Sequence, residues 1–270
     1  MKLLSRSAVA LLALASFFLF QRAASASVPG VEVLRPRGIS VLAPVTAFDD
    51  SHAEIFSPLK SGPLHFSEFY GMIKSAGKEV SINRDPITPL ALERVRTYII
   101  AGPSMQIKPD EIAALNSFVE RGGRLLVLIH VSEPVARLTE SFGIIVSNFV
   151  LSESNDTIGN EPQDFFVTSF LPHPVTEGVK RLAFYGSWAL LPEGRSSSVA
   201  ATSAGSWADT DGDGLRGEGE PEEAFSVAAV TERGLGRVAV IADDAPFTNL
   251  FMKEADNERF VKNIIKWLDE

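Results

Sequence analysis

Apolar residues in the first half of the chain follow two patterns, one typical of helices and one typical of strands. The stretch FSEFYGMIKSAG, from Phe66 to Gly77, carries apolar residues at the i, i+3, i+4, i+7 spacing of a helix and ends on a glycine. Short β-branched and apolar runs predict strands. The predicted helices are 66–77, 88–95, 108–123, 133–143 and 256–270, and the predicted strands are 39–45, 78–83, 97–102, 124–131, 144–151, 223–232 and 236–244.

The order of these elements predicts an α/β fold, because strands that alternate with helices form a mostly parallel sheet with helices on both faces. The run 124–131, RLLVLIHV, is apolar throughout, as expected for a strand buried on both faces. Between about 152 and 235 the chain contains short strand-like runs and few helical signals. We therefore predict a single domain over 38–270 with a β-rich insertion at about 152–235.

The N-terminus has the pattern of a secretory signal peptide. Basic residues precede an apolar run from Ala8 to Phe20, and small residues follow. The run is shorter than the roughly 20 residues that a spanning helix needs, so we favour cleavage after Ala26 over a retained membrane anchor. We interpret 1–26 as a signal peptide and 27–37 as a leader, and we expect an exported protein, extracellular, periplasmic or at the cell surface.

Composition and charge narrow the possible functions. The net charge is -9, so we do not expect a nucleic-acid-binding surface. The chain has no cysteine, which excludes disulfides, thiolate metal sites and cysteine nucleophiles. Membrane contact is expected only through an uncleaved N-terminus. Asn155 begins an N-glycosylation sequon whose use depends on the organism.

The segment DTDGDGLRGEGE, residues 209–220, matches the calcium-loop pattern D-x-[DN]-x-[DN]-G-x5-E. Carboxylate oxygens are hard ligands that suit Ca²⁺, and a bound cation would relieve the repulsion among them. The sequence therefore predicts a structural calcium ion. Its expected ligands are Asp209, Asp211, Asp213, the backbone carbonyl of Leu215, and Glu220.

The loop departs from a paired EF-hand. Position 8 of the pattern is Arg216, where an apolar residue is usual, and the flanking segments read as strands. It is similar to the isolated DxDxDG loops between strands of secreted proteins. The alternative is a solvated, glycine-rich hairpin tip that binds no ion.

Polar residues follow several of the predicted strands, at the sheet edge where α/β proteins bind ligands. We expect a ligand site there, with His173 folding back from the insertion. The candidate ligand-binding residues are Asp49, His52, His173, Asp243 and Asp244, and the candidate catalytic residues are Asp49, His52 and Asp244.

Two kinds of chemistry are open at this edge. His52 and His173 with Asp49 or Asp243 offer acceptable metal ligands, but no HxH or HExxH spacing is present. Ser132 follows a strand but lacks the glycines of a nucleophile elbow. The alternative to both is a structural role, because aspartates commonly cap helices and order loops.

The order of several phrases resembles a family of exported proteins with a class I glutamine amidotransferase-like fold. These phrases are FDDSHAEIF, YIIAGPSMQIKPDEIAALNSFVERGGRLLVL, HPVTEGV and GRVAVIADDAPFTN. Relatives include the extracytoplasmic part of the gliding-motility ABC-transporter accessory protein and the GIFT domain of intraflagellar transport. The resemblance implies a flavodoxin-like sheet with the phrase D-x-x-H, here Asp49 and His52, after the first strand.

True amidotransferases use a Cys-His-Glu triad, and this chain has no cysteine, so that activity is excluded. We therefore expect a non-catalytic domain that binds a protein partner, a small molecule or a glycan at the cell surface, as an accessory to an ABC transport or envelope assembly. The alternative is a hydrolase, metal-assisted or not, that acts on glycan or peptide. The sequence leaves the ligand and the oligomeric state open.

Overall fold

The computed structural model describes residues 45–270. The predicted signal peptide and leader, and all but the last residue of the predicted strand 39–45, lie outside this range. The helices are α1 (Ser67–Ser75), α2 (Pro109–Glu120), α3 (Ala136–Ser141) and α4 (Asn257–Asp269). The strands are β1 (Val45–Asp49), β2 (Glu79–Asn83), β3 (Val95–Ala101), β4 (Arg124–Leu128), β5 (Ile144–Glu153), β6 (Thr157–Ile158), β7 (Glu161–Val167), β8 (Ser169–Phe170), β9 (Leu182–Tyr185), β10 (Trp188–Pro192), β11 (Ser197–Ala201), β12 (Ser206–Asp209), β13 (Ser226–Arg233) and β14 (Gly236–Ile241).

One mixed sheet of 11 strands organises the described part of the chain. Its main path runs β12-β5-β10-β13-β14-β4-β3-β1-β2, and β11 and β8 branch from β13. Along the path β14-β4-β3-β1-β2, neighbouring strands pair in parallel. Along the path β14-β13-β10-β5-β12, neighbouring strands pair antiparallel. A separate three-stranded sheet, β6-β7-β9, stacks Phe165 on Phe184.

The prediction of a mostly parallel, flavodoxin-like sheet with helices on both faces is wrong. The antiparallel strands between 144 and 233 extend the main sheet and make it a β-rich mixed structure with four helices in the described range. The physical reason is the tight turn at Gly234, because a turn this short can join only antiparallel strands. This turn brings β13 beside β14, and β10, β5 and β12, which precede β13 in the chain, extend the same sheet from β13.

The helix predicted over 88–95 is also absent, since residues 89–94 form turns. The side chain of Thr88 accepts a hydrogen bond from the Ala91 N–H, as in a capped helix. However, β3 begins at Val95, which leaves too few residues for a helix to propagate.

Strand β4 forms the centre of the core. Leu125 through Leu128 are fully buried between β3 and β14, which agrees with the apolar run in the sequence. Phe69 of α1 and Leu268 of α4 belong to the same buried core as Leu126 and line one small cavity with it. Burial of a large aliphatic or aromatic side chain contributes about 1.5–3 kcal/mol, so these contacts attach both helices to the sheet.

The hairpin turn between β13 and β14 lies against the C-terminal end of α2. A Cβ on Gly236 would lie 2.0 Å from the Val119 carbonyl oxygen and 2.5 Å from that of Gly123. We therefore expect Gly236→Ala to lower the free energy of unfolding by about 1–3 kcal/mol, because backbone atoms must move. Urea denaturation measures this change.

The matched control is Gly71→Ala in α1, where a Cβ meets no atom within 4 Å. It should raise stability by up to about 1 kcal/mol, because alanine favours the helix. Equal effects of the two substitutions would contradict the close approach of the turn to α2.

Candidate functional site

His52 lies between two buried carboxylates at the carboxyl end of β1. Its Nδ1 is 2.6 Å from Asp49 Oδ2, and its Nε2 is 3.1 Å from Glu111 Oε2. All three side chains are almost completely buried. Both ring nitrogens are therefore engaged inside the protein.

The local chain positions each member of this group. Asp49 is the last residue of β1, and the backbone turns at Ala53, which has a positive φ of 53°. The carbonyl of His52 accepts the N–H groups of Ser104 and Met105, which follow β3. These contacts fix the loop after β1 over the end of β3.

Glu111 lies in the first turn of α2, inside the predicted helix 108–123. It caps α2, where Oε2 accepts the Lys108 N–H at 3.0 Å, and Oε1 accepts the Ile87 N–H at 3.0 Å. The capping position was visible in the sequence, but the contact with His52, which is 59 residues away, was not.

Burial and pairing decide the charges in this cluster. Burial opposes the charged ring of His52, but the hydrogen bonds and charges of Asp49 and Glu111 raise its pKa to about 9. Burial likewise opposes ionisation of Asp49, yet hydrogen bonds, chiefly with His52, lower its pKa. At neutral pH His52 is therefore a cation held by anionic partners.

Three further groups lie beside Asp49. The Tyr98 hydroxyl donates to Asp49 Oδ1 at 2.7 Å, and the Ser51 hydroxyl donates to the same oxygen at 2.8 Å. Burial, and then the charge of Asp49 nearby, raises the pKa of Glu54 to about 8. Ligand atoms of Asp49, His52 and Glu54 lie within 4.8 Å of one another, but hydrogen bonds within the protein already occupy His52 and Asp49.

Asp244 belongs to a second group at the same edge. Its Oδ1 is 3.2 Å from Nδ1 of His130, which follows β4, and its Oδ2 is buried without a partner in the described structure. The hydrogen bond that Asp244 accepts from His130 raises the pKa of His130, and burial raises the pKa of Asp244. The His130 ring is 38% exposed and packs edge-on against Phe56, which links it to the loop after β1.

Asp243 has a structural role in the loop after β14. Its Oδ1 accepts the Ala245 N–H at 2.9 Å, and its Oδ2 accepts the Tyr185 N–H at 2.6 Å. It is almost completely buried, and burial raises its pKa. Oδ1 thus orders this loop internally, and Oδ2 joins the loop to β9.

His173 does not join either group. Its ring packs edge-on against Trp267 near the end of α4, with the ring centres 5.1 Å apart. Its Nδ1 accepts the Val175 N–H at 3.3 Å, and burial lowers its pKa. The structure therefore pairs Asp49 with His52 and Asp244 with His130. His173 lies apart from both pairs, against Trp267.

The acidic loop 209–220 brings three of its carboxylates together. Ligand atoms of Asp209, Asp211 and Asp213 lie within 4.8 Å of one another. Asp209 is buried, and its oxygens accept the N–H groups of Gly212 and Gly214 at 2.8 and 3.1 Å.

The other two predicted calcium ligands take part in the loop differently. Oε1 of Glu220 accepts the Thr210 N–H at 2.7 Å, and Oε2 accepts the Gly217 N–H at 2.8 Å. These backbone donors lower the pKa of Glu220 and close the loop on itself. The N–H of Leu215 donates to Asp213 Oδ1 at 2.7 Å, and its side chain is exposed.

A family model described as "Domain of unknown function (DUF4350)" matches residues 58–265. The chain belongs to this family. No curated protein matches the sequence. The family match covers strands β2 to β14 and the Asp244 group, and it begins after β1, Asp49 and His52.

Similar solved structures support the fold of this DUF4350 member. The structure "mmIFT52 N-terminal domain" is similar over 83% of this chain and 97% of its own, with 18% identity and a TM-score of 0.69. Cytoplasmic protein STM3548 from Salmonella typhimurium is similar over 84% of this chain and 98% of its own, with 12% identity and a TM-score of 0.53. Identities this low establish a shared fold only. The predicted likeness to an intraflagellar transport domain is confirmed, and the relation to the gliding-motility accessory protein stays a prediction.

The buried His52 cluster makes the stability of the DUF4350 domain depend on pH. The pKa of His52 rises from 6.5 to about 9 on folding, so its stabilisation is complete below pH 6.5 and is lost as the pH rises through 9. We expect wild type to lose up to about 3 kcal/mol more than His52→Gln between about pH 6 and pH 9.5 in urea denaturation.

The control variant is His173→Gln, because burial lowers the pKa of His173 and gives it no such alkaline loss. This variant should keep the pH dependence of wild type. If His52→Gln also kept it, the charged state of His52 assigned above would be incorrect.

Proposed function

We propose that this DUF4350 member is an exported, non-catalytic domain that binds a partner at the cell surface, stabilised by a calcium ion in loop 209–220. The observation that carries the non-catalytic part is the engagement of both ring nitrogens of His52 by Asp49 and Glu111. A general base needs a free nitrogen within reach of its substrate. His52 has none, and it is buried.

Protein partners are the class that the comparisons favour. The likeness to the mmIFT52 N-terminal domain is a likeness of fold, and we extend it here to a role in assembly. Small molecules and glycans are the other ligand classes that the sequence leaves open. The sequence resemblance to an ABC-transporter accessory protein leads us to propose an accessory role in a transport or envelope assembly.

Export is proposed on the sequence alone. The basic start, apolar run and small-residue site of 1–26 support it. Within 45–270 no helix has the length and apolar character to cross a membrane.

One observation favours a second candidate, a hydrolase that uses His130 and Asp244. Asp244 contacts Nδ1 of a half-exposed His130, and no group in the described structure hydrogen-bonds Nε2. A histidine oriented in this way can take a proton from water. This dyad would replace the set Asp49, His52 and Asp244, because Asp244 pairs with His130 instead of His52.

A hydrolase screen separates the two candidates. We expect purified protein to release no product from glycan, peptide and ester substrates, because His52 is buried and both of its ring nitrogens are engaged. His130→Gln and His52→Gln serve as comparison variants. Activity in wild type that disappears in His130→Gln would overturn the non-catalytic proposal and support the hydrolase.

Calcium binding is proposed from the convergence of Asp209, Asp211 and Asp213. Like charges about 4 Å apart repel by about 4 kcal/mol at an effective dielectric constant near 20, and a divalent ion removes this cost. The Leu215 carbonyl and Glu220 are the further ligands that the pattern predicts. The ion would order the loop, and we assign it no part in a reaction.

Added Ca²⁺ should stabilise the wild-type protein. A ligand at about 100 times its Kd stabilises the folded state by about 2.7 kcal/mol, which thermal denaturation with and without chelator detects. Asp213→Asn should weaken this gain, whereas Glu218→Gln, which changes a loop carboxylate outside the pattern, should preserve it. An unchanged melting temperature at millimolar Ca²⁺, with no heat in isothermal titration, would refute the site.

A further inference from the structure

An apolar groove lies on the antiparallel side of the main sheet, where β10 and β11 both pair with β13. Strand β10 pairs with β13 at Leu190 and Ser226, and β11 pairs with the same strand from Ser226 to Val230. The fork leaves a groove of about 460 Å³. Its apolar lining includes Ile145, Phe149, Ala189, Leu191, Ala224 and Phe225.

The groove exposes large apolar side chains that would gain from being covered. Ile145 and Leu191 are directly opposite each other on β5 and β10, and they are 37% and 58% exposed. Beside them, the rings of Phe149 and Phe225 pack 6.3 Å apart and are only partly buried. A continuous exposed apolar patch of this kind is a feature of interaction surfaces.

Acidic residues flank one end of the groove. The acidic loop starts here, because its buried first residue, Asp209, pairs in register with Val150, next to Phe149. The loop exposes Asp211, Asp213 and Glu218. At the other end of the loop, Glu223 itself lines the groove and is exposed. A partner that covers the apolar lining must therefore also meet negative charge.

We propose that this groove binds a segment of a protein partner in which apolar side chains stand next to lysine or arginine. This inference rests on the proposed partner-binding function and names the partner's chemistry. The apolar side chains cover Leu191 and Ile145, and the basic ones face Glu223 and the acidic loop. Burial of the apolar part supplies affinity, and the charges select the partner.

Two other possible occupants of the groove are less compatible with its negative charge. A second copy of this chain would bring its own acidic loop to the interface, where like charges repel. A membrane with anionic lipids would be repelled by the same residues. Both remain measurable outcomes of the experiment.

The probes are short synthetic peptides with one common apolar core, flanked by lysine, by glutamate or by serine. Binding to the full chain is followed by fluorescence anisotropy and by chemical-shift changes of the protein, up to about 1 mM peptide. We expect the lysine-flanked peptide to bind at least about tenfold more tightly than the glutamate-flanked one. The shift changes should include Leu191 and Phe225.

Paired variants locate the binding surface. Leu191→Asp should weaken the lysine-flanked peptide at least about tenfold, whereas Leu250→Asp, at a side chain 54% exposed outside the groove, should change it by less than about twofold. Glu223→Lys should reverse the preference between peptides. Its control is Glu79→Lys on β2, the strand at the far edge of the sheet from β12.

Several outcomes would overturn the proposal. These are no binding by any peptide, equal binding of the lysine and glutamate peptides, or an unchanged affinity in both groove variants. Dimerisation that Leu191→Asp abolishes would assign the groove to a second copy, and binding to vesicles of phosphatidylglycerol would assign it to lipid. The peptide experiment tests only the groove, whereas the hydrolase screen tests the non-catalytic function. Failure of this inference can therefore be told apart from failure of the proposed function.

Discussion

The structure depends on the two-sided hydrogen bonding of β14. One edge of this strand pairs in parallel with β4, and the other pairs antiparallel with β13. Because all of its residues except Arg237 are buried, the strand can neither shift nor change faces without exposing apolar side chains. The parallel and antiparallel parts of the chain thus become one sheet at this strand.

This junction also determines where polar chemistry can gather. The parallel strands β1, β3, β4 and β14 end at a common edge, where Asp49 is the last residue of β1 and the loops after β4 and β14 carry His130 and Asp244. Side chains far apart in sequence meet there, as with His52 and Glu111. The His52 cluster is buried and satisfied internally, whereas His130 keeps contact with solvent. Two groups with similar residue types therefore have different capacities for chemistry.

The antiparallel half contributes a different property, an incompletely covered face. Helices α1 and α4 cover strand residues of the parallel half, and Leu126 is buried beneath them. At the fork between β10 and β11, the apolar groove remains open, beside the acidic loop. The polar edge and the apolar groove therefore belong to different parts of the same sheet.

Local sequence determined most element types, because helix periodicity, caps and apolar runs act over a few neighbouring residues. Helix α2 and the buried strand β4 follow directly from such signals, and the absence of cysteine excluded whole classes of chemistry. The grouping of Asp209, Asp211 and Asp213 also follows from their alternate spacing in a tight turn.

Tertiary structure alone decided the direction of the strands after Ile144 and the partners of the candidate site residues. A strand's direction in a sheet depends on which neighbouring strand it pairs with. The apolar periodicity within a strand does not specify that neighbour. His52 contacts Glu111, Asp244 contacts His130, and His173 contacts Trp267, in each case because distant segments pack together. Such contacts arise from the packing of the whole sheet, so inspection of each segment alone could not reveal them.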